Sequence, residues 1–105
     1  MENTEVSVRH GMTDERKKEI CDYCARNLRV MRYYMNWKQE ELARIIGTTH
    51  RRISEIETGR SRMPWTLYLA LVSVFMLNPS ARDTPVYGVF VPDDVVKFLA
   101  GQTGD

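Results

Sequence analysis

Cysteine and histidine are scarce, with two of each. Cys21 and Cys24 form a Cys-x-x-Cys pair, but a zinc site ordinarily needs four ligands. No second pair exists, and His10 and His50 are the only histidines. A redox use of the same pair needs a βαβ context, which the pattern around it lacks. Cys21 and Cys24 are therefore read as reduced thiols in the core or on the surface, with a metal shared between subunits as the remote alternative. No nucleophile, base and orienting group fall into a recognisable set, and no glycine-rich phosphate loop occurs, so catalysis has little support. Long apolar runs are missing too. The longest, Leu67 to Leu77, is interrupted by Ser73 and falls short of the ~20 residues that cross a bilayer. Residues 1–11 lack the apolar centre of a secretory signal. The expectation is a cytoplasmic protein that is not an enzyme, with no cofactor and no metal.

A strong overall charge is also absent, since the formal net charge is +1. That balance hides an uneven distribution. Between Arg26 and Trp65 nine Arg and Lys face four Glu, a local balance of +5, which leaves −4 for the remainder. A basic middle of this kind is the footprint expected of nucleic-acid binding.

At 105 residues the chain is expected to be one domain with a small core. Residues 1–12 are polar and aperiodic and are expected to form a disordered arm. Thr13 is a plausible helix cap, with Asp14 and Glu15 favourable in the first turn. Ile20, Cys24, Leu28, Met31 and Met35 then share one stripe, which predicts a long first helix over 14–35 ended by Asn36. Two short helices follow, over 38–46 and 50–57. Leu42, Ala43 and Ile46 set the inner face of one, Ile53 and Ile56 that of the other. Gly47 stops the first and Thr49 can cap the second. Helices so closely joined must cross steeply, which is helix-turn-helix geometry. Pro64 then opens a fourth helix to about Phe75 or Met76 that is apolar on nearly every side and so must be buried all round. The C-terminal segment or a second subunit has to cover it.

After Asn78-Pro79, a polar loop leads to Val86-Tyr87-Gly88-Val89-Phe90-Val91, whose β-branched and aromatic residues read as a strand. Pro92-Asp93-Asp94 starts a short amphipathic helix. The strand has no partner in the chain, so pairing with the same strand of a two-fold mate, a homodimer, is the simplest expectation. The predicted fold class is thus mainly α: a four-helix helix-turn-helix domain over 13–77, with a C-terminal β-strand and short helix over 78–105 for dimer or partner contact.

The run Gln-Glu-Glu-Leu-Ala at 39–43, followed by Gly47-Thr48-Thr49, Ile53-Ser54, Ile56-Glu57 and Gly59, resembles the phage repressor and Cro-like (XRE-type) helix-turn-helix family across about residues 28–74. The resemblance implies that Ala43 lets two helices approach and that Ile53 plugs the core between them. It places DNA base-reading at His50, Arg51 and Glu55, with Thr49 and Arg52 beside them. It places phosphate contacts at Gln39, Arg60 and Arg62, and Lys38, a departure where the family usually has a Ser or Thr cap, is counted with them. It also implies a structural ion pair between Arg32 and Glu57. Arg51 suits the guanine O6 and N7 edge, and Glu55 could accept from a cytosine amino group or orient Arg51 or Arg52 through a one-turn ion pair. Tyr33 and Tyr34 either pack on the C-terminal segment or mark a partner surface. Trp37 and Trp65 pack in or near the core. The implied function is a homodimeric transcriptional regulator, a repressor binding double-stranded DNA at a palindromic operator. The alternative is an antitoxin that binds a toxin through its C-terminal segment and autoregulates. A ligand-sensing mobile-element regulator ranks lower, because no ligand domain is apparent.

Overall fold

Thr13 opens the first helix as its composition suggests. In a computed structural model that describes residues 12–101, its side-chain oxygen accepts the Arg16 amide at 3.0 Å. Helix α1 runs Asp14–Met35 and ends at Asn36, which takes the left-handed conformation (φ 58°) and donates its amide back to the Arg32 and Tyr33 carbonyls. The predicted stripe is the buried one: Ile20, Cys24, Leu28 and Met31, joined by Cys21. This helix is the spine, because the helices over 50–57 and 65–77 and the C-terminal segment all pack on it.

Helix α2 (Gln39–Ile46) and helix α3 (His50–Glu57) form the steep pair. Gly47 sits at φ 80° between them, where a Cβ would be strained. Thr49 accepts the Arg52 amide at 3.1 Å and caps α3. Leu42 and Ala43 of α2 and Ile53 and Ile56 of α3 are buried, where α2 packs on α3 and α3 on α1. Helix α4 (Trp65–Leu77) follows, with Pro64 at its cap, one residue before the position expected from sequence. It buries Tyr68, Leu71, Val72 and Phe75.

The C-terminal segment departs from expectation. No strand occurs among the described residues. The predicted polar loop is a 3-10 turn over Pro79–Asp83 with Ala81 buried, the predicted strand is helix α5 (Tyr87–Phe90), and helix α6 is Asp93–Leu99. The burial pattern explains the correction. Val86, Phe90 and Val91 point inward while Gly88, midway on the same alternating face, is exposed, and adjacent Phe90 and Val91 are both buried, which alternation does not provide. The backbone also satisfies itself locally: Phe90 N–H donates to the Val86 carbonyl at 3.2 Å, and Val91 N–H to that of Tyr87 at 2.8 Å. Strand propensity largely measures fit to a half-buried surface, and here α1 and α4 supply that surface. With no unpaired strand, the strand-pairing argument for a two-fold mate is withdrawn.

The same segment caps α4. Phe75 packs on Tyr87 and Phe90, with ring centres 5.7 and 5.4 Å away. Trp65 meets Phe98 at 6.4 Å. The Tyr68 hydroxyl donates to the Phe90 carbonyl at 2.6 Å, a buried bond. Intramolecular packing therefore covers much of the helix that was expected to need a cover, but Leu77 stays 83% exposed. Met12, expected in the arm, is buried in the core. The rest of the predicted arm, and the tail beyond Gly101, lie outside the described residues.

Candidate nucleic-acid interface

Helix α3 has two sides because its eight residues make little more than two turns. Ile53 and Ile56 anchor the inner side, and His50, Arg51 and Arg52 are exposed on the outer. Thr49, at the cap, is exposed beside them, but its hydroxyl is spent on the Arg52 amide. Arg51 keeps its side chain 88% exposed. Its Nε donates to Glu55 Oε2 at 3.0 Å, and the Ser61 hydroxyl donates to the other Glu55 oxygen at 3.2 Å. Of the two uses expected for Glu55, the one-turn ion pair with Arg51 is formed in the structure. The Arg51 hydrogen bond is the main reason the Glu55 carboxyl lies below the usual carboxylate range.

Glu57, two residues on, faces the other way. Its side chain is 1% exposed. Arg32 grips it with two bonds, Nε to Oε2 at 2.6 Å and a terminal nitrogen to Oε1 at 2.9 Å. The expected pair of Arg32 and Glu57 is therefore in place. Arg32 also donates to the Trp37 carbonyl at 3.1 Å, which fixes the entry to α2. Two further participants carry no local sequence signal. Arg29 lies 3.9 Å from Glu57 with its side chain 71% exposed. Gln39 donates to Glu57 Oε1 at 2.8 Å and faces His50 Nε2 with its own oxygen at 2.7 Å. These partners stand eleven to twenty-eight positions apart, and no local spacing reports such pairings. The one available signal is that Gln39 and His50 open the two helices that cross.

The phosphate candidates are disposed around this network. Gln39 has its side chain turned inward, so a contact with phosphate falls to its main-chain amide at the start of α2. Lys38 caps α2 without an acceptor of its own. Glu41 compensates by accepting the Lys38 amide at 2.8 Å. Arg60 is exposed just after Gly59, whose φ of 82° lets the Arg60 amide return to the Glu55 carbonyl at 2.8 Å. Arg62 reaches Asp22 at 3.3 Å and keeps 66% of its side chain exposed. Lys38, Arg29, Tyr33 and Trp37 share an open cleft beside the start of α2.

The cysteines belong to the core. Burial pushes the Cys21 thiol up to about 11 and the Cys24 thiol up to about 12, which keeps both protonated and poor as nucleophiles or ligands. Among the described residues, no three His, Cys, Asp or Glu side chains gather where they could hold a metal ion. No described helix is long and apolar enough to cross a membrane. Compared with known families, the profile described as a helix-turn-helix domain matches residues 25–84, more than half the chain. No curated protein and no solved structure matches significantly.

Proposed function

The chain belongs to the helix-turn-helix domain family, and from that premise we propose that it is a sequence-specific DNA-binding regulator of the phage repressor and Cro-like kind. The observation that carries this reading is the split in α3. Ile53 and Ile56 fix the helix from behind, while His50, Arg51 and Arg52 stand exposed at its leading end. A helix mounted that way can enter a major groove with its first turns against base edges. Arg51 would read guanine, and Glu55 would hold it until the base competes for it. Lys38, the Gln39 amide, Arg60 and Arg62 would set the register through phosphates.

The reading extends to a homodimeric repressor on an inverted repeat, with half-site centres about one turn (~34 Å) apart. Support for a two-fold partner comes from Leu77, which closes α4 in full exposure. A second reading, the antitoxin, draws on Val96 and Leu99, which α6 leaves exposed for a protein partner. Co-purification of a second protein favours the antitoxin, and selection of bound DNA from a random pool tests the regulator. A palindromic consensus supports the regulator and its symmetry, a single half-site supports a monomer, and no enrichment sinks the DNA reading.

A further inference from the structure

Glu57 lies at the root of a chain of hydrogen bonds whose direction is fixed by chemistry. A carboxylate held by a guanidinium can only accept, and Arg32 occupies both of its oxygens. The Gln39 group facing it at 2.8 Å must therefore be the amide nitrogen. That leaves the Gln39 oxygen, again only an acceptor, 2.7 Å from His50 Nε2. Two acceptors cannot share that distance, so Nε2 carries the proton.

We infer that Gln39 is a positioning residue that fixes the tautomer of His50, so that neutral His50 presents Nδ1 to the DNA as a hydrogen-bond acceptor. Nδ1 has no partner among the described residues, and His50 is exposed at the first position of α3. A bare imidazole nitrogen there selects a base with an exocyclic amino group in the major groove, adenine N6 or cytosine N4. The charged groups on the elements packed around the ring are Arg51, Arg52 and Glu55 of α3, Lys38, Glu40, Glu41 and Arg44 beside Gln39 on α2, and the Arg32–Glu57 pair behind it. None of them forms a hydrogen bond to the ring, so the tautomer is set through Gln39.

This inference rests on the DNA reading above, and its test separates the two. Imidazole nitrogen NMR of the free protein, with His50→Gln used to assign the His50 signals apart from those of His10, should show the Nε2–H tautomer at ~pH 8. Gln39→Met fills the same space, accepts nothing, and should give mixed tautomers. DNA selection at ~pH 8 should enrich adenine or cytosine at one position, and Gln39→Met should lose that preference by about tenfold. Mixed tautomers in the wild type overturn the positioning role even if DNA is bound. A fixed tautomer with no DNA selected overturns the DNA reading and the base preference with it.

Discussion

Between Trp37 and Gly59 the chain changes direction at groups supplied from a few residues away. Between Asn78 and Gly101 what holds it in place comes from α1 and α4. The first region uses Gly47 at positive φ, the Thr49 cap and the Glu41 bond to the Lys38 amide. The second uses the Tyr68 hydroxyl on Phe90, Trp65 against Phe98, and Arg16 reaching Asp94 at 2.7 Å. The contrast teaches that a helix-turn-helix is largely locally specified, whereas a segment that serves as a lid takes the conformation its substrate surface requires. Glu57 marks where the contrast weakens, because its partner Arg32 is 25 positions away.

The largest expected effects test whether both regions belong to one cooperative core. Glu57→Ala leaves Arg32 without its partner in a largely buried place, which typically costs ~3–5 kcal/mol. Phe90→Ala opens a cavity against Phe75 and should cost a similar ~3–5 kcal/mol. Chemical denaturation with one transition in each variant shows a shared core. A Phe90→Ala protein that keeps wild-type stability would show that the lid is dispensable, and a Glu57→Ala protein that does so would remove the role assigned to the ion pair.

Arg51→Ala should separate the recognition surface from the scaffold. Its side chain is exposed, so stability should stay within ~0.5 kcal/mol. DNA affinity should fall by ~1–3 kcal/mol, with relaxed preference at a single base pair. Equal loss on every sequence, measured by titration against base-substituted sites, would make Arg51 a phosphate contact instead.

The smallest effect belongs to Asp94. The Arg16 hydrogen bond holds its carboxyl below the ordinary aspartate range. Its contribution is therefore complete above that range (~3.9), declines as pH falls below it, and is gone beneath the depressed folded value. Both side chains are partly exposed, so the pair is worth less than ~1 kcal/mol after screening. Asp94→Asn should lower stability by that small amount near neutral pH and by nothing in acid. A loss that persists unchanged in strong acid would point to packing rather than charge.

Much of the fold was legible from sequence because its signals are short in range. The α1 stripe, the stops at Asn36 and Gly47, and the caps at Thr13 and Thr49 each lie within a turn or two of what they control. The candidate interface was partly legible for the same reason, since the outer positions of α3 follow from where Ile53 and Ile56 must point. Residues 86–91 were misread because Val, Tyr and Phe fit any half-buried surface, and the surface they meet is built by residues such as Cys24, Tyr68 and Phe75.

The helix-turn-helix is written in the local order of residues, because periodicity and capping act through neighbouring atoms. The packed molecule made the C-terminal segment a helical lid, because that choice depends on the shape of a surface assembled elsewhere. It alone also joined Arg32, Glu57, Gln39 and His50 in one line, because three helices have to cross before those side chains come within 3 Å of one another.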